Sequence, residues 1–240
     1  PYYAGKSNKK IIALPHNLES LVPFQKSVLS GKASPQDFLS EIKILKKCHA
    51  VFTISREETL FLSLFGVNAS YLPYYPTQDV ERFLLSIRKC REVKSCTKIN
   101  QILMLGSAIN PPTEIGMKDR LHFFKQNNFQ DLTLRIAGYG TEVFRPIIGD
   151  TKNVQLIGEL SIKQLEQELL KTDVLLICQP ASSGAVTRII EFLIAGIPVL
   201  VNSESARSYF GFDGLLIYEN DEQLIGLLQE PLKTPKLPLK

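Results

Sequence analysis

The chain is poor in the residues that announce a metal centre or a nucleophilic active site. It has 240 residues but only four cysteines and three histidines, and it contains no Asp-x-Asp pair. Cys48, Cys90, Cys96 and Cys178 are scattered, and the spacing of the close pair, Cys90 and Cys96, matches no zinc motif. We expect no metal site. With no stretch that reads as a secretion signal, we also expect reduced thiols and a cytoplasmic location. His49 and His122 fall in helical patterns, and no Ser/His/Asp arrangement stands out. No apolar run reaches the ~20 residues of a membrane span. Residues 189–201, IIEFLIAGIPVLV, are interrupted by Glu191 and Pro198. The net charge is only +4, and the basic residues form no stripe, so a dedicated nucleic-acid binder is not expected. The one basic cluster, 88–98 (RKCREVKSCTK), reads as a solvated linker.

What is present is ordinary globular material: 44% hydrophobic and 22% charged residues. The chain begins Pro-Tyr-Tyr, and residues 7–14, SNKKIIAL, run at once into a strand-like stretch. The expectation is a piece of a longer protein.

Residues 11–14 (IIAL) predict a buried strand that ends at Pro15, His16 and Asn17. SPQD at 34–37 predicts a helix capped by Ser34 and running to about Cys48. A strand at 50–55 follows. Ser55 then starts a second helix, with Glu58 completing a capping box and Gly66 ending it. A strand at 69–73 leads to a helix over 79–88 and a linker. A second alternation has strands at 99–106, 132–137, 153–157, 173–178 and 215–220, with helices around 116–126, 161–170 and 221–228. Ser161 and Gln164 predict another capping box. The Pro-rich end is expected to fray.

Strands alternating with helices predict an α/β fold with two Rossmann-like parallel-sheet domains. The first, 1–76, is incomplete; 77–98 is the linker, 99–228 a complete domain and 229–240 a tail.

Ligands of open parallel sheets bind beyond the carboxyl ends of the strands. Those ends carry Gly106 and Ser107, Gly138-Tyr139-Gly140, Gly158 to Leu160, His16, and the segment QPASSGAVTR that leads to Arg188. Ser182, Ser183 and Gly184 stand where a helix is expected to open. Free N–H groups and the helix dipole attract an anion there, and Gly184 lets a phosphate come close. Arg188, one turn further, offers a bidentate phosphate contact. Glu191 shares its face and suits vicinal sugar hydroxyls. The same spacing also fits a plain surface salt bridge between Arg188 and Glu191, and spacing does not choose between them. Gly138-Tyr139-Gly140 begins a dinucleotide fingerprint, but Val143 replaces the third glycine and the strand is the second of its alternation, which argues against a nicotinamide cofactor.

Taken in order, ILMLGSAINPP, LTLRIAGYG, NVQLIGEL, the block DVLLICQPASSGAVTRIIEFLIAGIPVLV and GFDGLLIYENDEQL resemble the donor-binding domain of GT-B glycosyltransferases of the retaining family-four group. IIALPHNLESL and CHAVFTISREETLFLSLFGVNASYLPYYP resemble the end of that family's N-terminal, acceptor-side domain. The resemblance implies transfer of a sugar from a nucleoside diphosphate sugar to a carbohydrate or lipid-linked acceptor, with retention, no cofactor and no metal. It implies His16 beside the transferred sugar and Arg188 at the leaving phosphate as the catalytic pair. Donor contacts are implied at Gly106, Ser107, Lys118, Gly138, Gly158, Glu159, Leu160, Ser183, Gly184, Ala185, Val186, Thr187 and Glu191. Ser183 stands where the family has the first Glu of its Glu-x7-Glu motif, Glu191 being the second, and Ser107 stands where an Arg is frequent. Those departures keep open a non-catalytic nucleotide-sugar or protein-binding module, and the shared architecture keeps open a sugar-nucleotide epimerase. A peripheral contact with the inner face of the membrane is a further expectation, and the piece by itself is expected to have little activity.

Overall fold

The computed structural model describes residues 10–22, 35–91, 98–127, 129–180 and 184–239. The expected Ser34 cap, residues 92–97 of the basic cluster with Cys96, and Ser182 and Ser183 lie outside the described residues. The chain forms two compact units. One takes Pro1–Tyr74 with Ala181–Val186, the other Tyr75–Pro180 with Thr187–Lys240.

In the first unit, β1 (Ile12–Ala13), β2 (Ala50–Thr53) and β3 (Ala69–Tyr71) pair in parallel, in that order. Along β2 burial follows a period of two, with Val51 and Thr53 inside. Helices α1 (Pro35–Leu45) and α2 (Arg56–Leu64) bring Ile42, Leu45 and Leu62 against Val51 and Leu18. Each such side chain removed from water stabilises the unit by roughly 1.5–3 kcal/mol. Ser55 caps α2 as its sequence predicts, accepting the Glu58 N–H at 3.3 Å. The Glu58 carboxylate turns inward and accepts the N–H groups of Leu18 at 3.2 Å and Gly184 at 2.7 Å.

The second unit is a six-stranded, all-parallel sheet. Its strands are β4 (Gln101–Leu105), β5 (Thr133–Ala137), β6 (Val154–Gly158), β7 (Val174–Ile177), β8 (Val199–Asn202) and β9 (Leu215–Tyr218), in the order β6-β5-β4-β7-β8-β9. All four residues of β7 are buried, as expected for a central strand covered on both faces. The helices are α3 (Gln78–Arg91), α4 (Pro111–Asn127), α5 (Arg145–Ile148), α6 (Ile162–Lys171), α7 (Arg188–Ile194), α8 (Ser203–Ala206) and α9 (Asp221–Gln229).

Several elements differ from the sequence reading, each for a physical reason. Helix α4 starts five residues early, because Pro111 and Pro112 fall in its first turn, where a missing N–H costs nothing. Helix α3 runs beyond residue 88, and Arg88 donates to the carbonyls of Leu193, Ile194 and Pro235. It thereby places a cation on the carbonyl end of α7, where the helix dipole favours positive charge. The bond to Pro235 ties the expected tail to the second unit. Leu232 is buried there, and the Lys236 N–H donates to Asp213 at 2.6 Å. The expected capping box of α6 is complete. Helix α7 begins at Arg188, four residues later than the Gly184 opening that the sequence suggests. Among the described residues no helix is long and apolar enough to cross a membrane.

Candidate functional site

The strand order of the second unit reverses around β4 and β7. The chain goes from β4 outward through β5 and β6, then returns to pair β7 on the other side of β4. Beyond the carboxyl ends of two such strands an open α/β sheet has a crevice. Three glycines expected at the site meet beside it. The Gly106 N–H donates to the Ala137 carbonyl at 3.0 Å, the Gly138 N–H to the Gly158 carbonyl at 2.8 Å, and the Ala108 N–H to the Tyr139 carbonyl at 2.8 Å. Gly138 has φ +128°, and a Cβ there would collide with the Gly106 carbonyl. The Gly138-Tyr139-Gly140 pattern is therefore accounted for by the packing of strand-end loops.

Arg188 opens α7 and folds back toward this place. Its guanidinium donates to the Leu105 carbonyl at the end of β4 and to Thr113 Oγ1 at 3.4 Å. Gly106 makes the room, since a Cβ there would run into the guanidinium. Burial pushes the Arg188 pKa below its ordinary value, and the nearby charge of Glu191 only partly opposes this. Among the described residues Arg188 forms no ion pair. The surface salt bridge with Glu191 is thus not the arrangement found. A half-buried cation rests on two neutral oxygens at the point where the strand order reverses.

Thr113, missed by the sequence reading, and Gln179, read there only as the start of the QPASSGAVTR segment, complete the setting. Thr113, on α4, is 4% exposed and also accepts from Gln179 Nε2 at 3.0 Å. Gln179, just past β7, is held in turn by Asn202, whose Oδ1 accepts its N–H at 3.1 Å and whose Nδ2 donates to its carbonyl at 2.7 Å. A Thr beside two prolines carries no pattern that would have singled it out. Gly116 seats α4 directly on the Cys178 carbonyl, where any Cβ would collide. Lys118 is two residues on, about 200° round the helix. It is exposed and makes no hydrogen bond or ion pair among the described residues. The structure does not bring Lys118 to the strand ends.

The other expected contacts divide. The Ser107 hydroxyl accepts the Ile109 N–H at 3.3 Å, so it closes its own turn. Glu159 is exposed and Leu160 half-buried just after β6. Thr187 is the N-cap of α7 without a side-chain capping bond, Val186 is buried and Ala185 half-buried. Glu191 is half-buried in the first turn. Ser183 lies outside the described residues.

In the first unit, Gly184 corrects one expectation. Its φ is +77°, its N–H goes to the Glu58 carboxylate at 2.7 Å, and a Cβ would strike Asn17 Oδ1. Glycine is needed there for close approach to Asn17, and the amide that was expected to meet a phosphate already meets a carboxylate. His16 is exposed, and its carbonyl lies beside the same glycine. Glu58 is the residue that sequence reading assigned only to a cap.

No protein-family profile and no curated protein sequence matches the chain. Solved structures do. Sucrose-phosphate synthase from Thermosynechococcus elongatus aligns over 94% of this chain and 59% of its own length, with 15% identity and TM-score 0.61. HepE from Anabaena, solved in complex with UDP, aligns over 95% and 64% with 12% identity and TM-score 0.66. A glycosyltransferase from Rickettsia africae aligns over 95% and 62% with 14% identity and TM-score 0.63. The chain thus spans about three fifths of the length of these neighbours. At such identities the likeness concerns architecture, and that architecture is plain: the chain has the GT-B glycosyltransferase fold, in two parallel-sheet α/β units.

Proposed function

We propose that the chain binds a nucleoside diphosphate sugar beyond β4 and β7 and serves glycosyl transfer. The observation that carries this is Arg188, a half-buried guanidinium that, among the described residues, rests on the Leu105 carbonyl and the Thr113 hydroxyl at the reversal of strand order. The Glu191 charge offsets its burial only in part, and a cation partly removed from water gains when an anion completes it. A diphosphate is such an anion, and the UDP in HepE makes a uridine nucleotide the first to try. As the sugar leaves its donor, negative charge grows on the diphosphate. A pre-placed guanidinium in a site shielded from water stabilises that charge by a few kcal/mol. Glu191 accepts ribose hydroxyls, His16 lies at the transferred sugar, and the product retains its anomeric configuration. These three roles follow the family resemblance. The acceptor is a carbohydrate or a lipid-linked sugar.

The test is calorimetric titration of the wild type and Arg188→Ala with UDP, GDP and ADP. We expect the variant to bind the preferred diphosphate at least about tenfold more weakly, the scale of one charge-assisted hydrogen bond. Equal affinities would remove the phosphate role. A second reading, binding without transfer, is favoured by Ser107 and Lys118, which place neither an arginine nor a lysine over the crevice. Nucleotide binding with no turnover of any donor in the full-length protein would support it.

A further inference from the structure

Three N–H donors converge on one hydroxyl oxygen beside the β4 loop. Thr113 Oγ1 lies 3.0 Å from Gln179 Nε2, 3.3 Å from Asn110 Nδ2 and 3.4 Å from Arg188 Nη2. A threonine hydroxyl accepts through two lone pairs, so the three donors cannot all be served at once. Arg188 is the most distant of them, and its firmer anchor is the Leu105 carbonyl. Gly106 completes the seat. A Cβ at that position would collide with the guanidinium and come within 2.9 Å of Thr113 Cγ2, while the φ of Gly106 is not positive. Glycine is there for space and not for its backbone angle. Thr113 itself is 4% exposed, so it acts on a ligand only through the side chain it holds.

We propose that Thr113 is a positioning residue for Arg188: with the Leu105 carbonyl on Nη1, its oxygen holds one N–H of Nη2 at the end of β4 and leaves the other for an arriving diphosphate. This deepens the donor-site reading and rests on it. Without Thr113 the guanidinium keeps the Leu105 carbonyl but can swing about it, and part of its attraction for the anion is spent on orienting it.

Thr113→Val removes the oxygen at nearly constant volume, and Thr113→Ser keeps it. Each variant is titrated with UDP, GDP and ADP and with the matching monophosphates, and the preference for diphosphate over monophosphate is compared with that of the wild type. We expect Thr113→Ser to keep the preference. Thr113→Val should lose it by about tenfold in the diphosphate, the scale of one hydrogen bond to a charged group, with the monophosphate little changed. Thr113→Val also strips Gln179 and Asn110 of an acceptor, so Gly106→Ala is the companion variant. It evicts the guanidinium, the movable end of a flexible side chain, without asking for a new backbone angle, and the same selective loss is expected. An unchanged preference in a folded Thr113→Val, or in Gly106→Ala where the valine variant does not fold, overturns the proposal. So does an equal loss for diphosphates and monophosphates, which is what a purely structural role would produce. If the wild type prefers no diphosphate at all, the donor-site reading falls and this proposal with it, a result distinct from a variant that matches a binding wild type.

Discussion

Two arginines in the second unit, Arg120 and Arg188, are both drawn out of water near the carboxyl ends of the strands, and they are treated in opposite ways. Arg120, on α4, donates to Asp119 at 2.6 Å and to Asp221 at 2.7 Å. Its guanidinium lies over the rings of Phe123 and Tyr218, 5.0 and 5.7 Å from their centroids. Burial by itself would lower its pKa, but Tyr218 and the two carboxylates more than reverse this, and the net shift is upward. For Arg188 burial is again the largest influence; only Glu191 opposes it, and the net shift is downward. One charge is answered inside the protein and serves the fold. The other rests on neutral oxygens, the arrangement from which the anion-binding role is proposed.

The comparison is broken most sharply by removing each charge. Arg120→Ala should destabilise the second unit by about 2 kcal/mol in urea unfolding. That is less than the loss of a fully buried pair, because Asp119 and Asp221 are more than half exposed and can return to water. Arg188→Met, which keeps the volume, should leave stability within about 1 kcal/mol of the wild type or raise it. A large loss in the second case would make Arg188 a structural residue like Arg120. A smaller effect sharpens the ligand side. Glu191→Ala should weaken binding of a nucleotide that carries both ribose hydroxyls severalfold, and that of its dideoxy analogue less, since only the former donates to a carboxylate. Equal losses in titration would leave Glu191 as no more than the charge that steadies Arg188.

The mildest effect concerns Cys178, which neighbours the Arg120 cluster. Burial pushes its thiol up to about 11, and the Arg120 charge holds it back from rising further. The thiolate is the reactive form, so at about pH 8.5 iodoacetamide should modify exposed Cys90 and spare Cys178. Arg120→Ala moves the Cys178 pKa upward again, so in a folded variant its modification should be slower still. Mass spectrometry of the alkylated peptides checks both statements.

Gly106 and Gly184 carry the same lesson about what can be read in advance. In the sequence both are glycines in small polar loops at strand ends, Gly184 read as giving room to a phosphate and Gly106 as a donor contact implied by the resemblance. In the folded chain Gly106 makes room for a guanidinium, and Gly184 makes room for Asn17 while its amide serves Glu58. The alternation of strands and helices, the capping of α6 by Ser161 and Gln164, and the grouping of Gly106, Gly138 and Gly158 were legible, because each depends on local periodicity or on the parallel topology that such periodicity implies. The start of α7 was misplaced by four residues, because Gly184 takes a left-handed backbone that its packing imposes. Lys118 looked usable because a loose count along α4 ignores the 100° turned by each residue.

The order of residues by itself determined the α/β class, the parallel sheets and the set of chemically able side chains at the strand ends, since hydrophobic period and chain direction are properties of neighbours in sequence. Only the tertiary structure decided which of those side chains has its charge or its amide already answered. That depends on groups far apart in the chain, Arg188 with Leu105 and Thr113 on one side and Gly184 with Glu58 on the other. The free energy of a buried polar atom is set by whatever folding brings within hydrogen-bond distance of it.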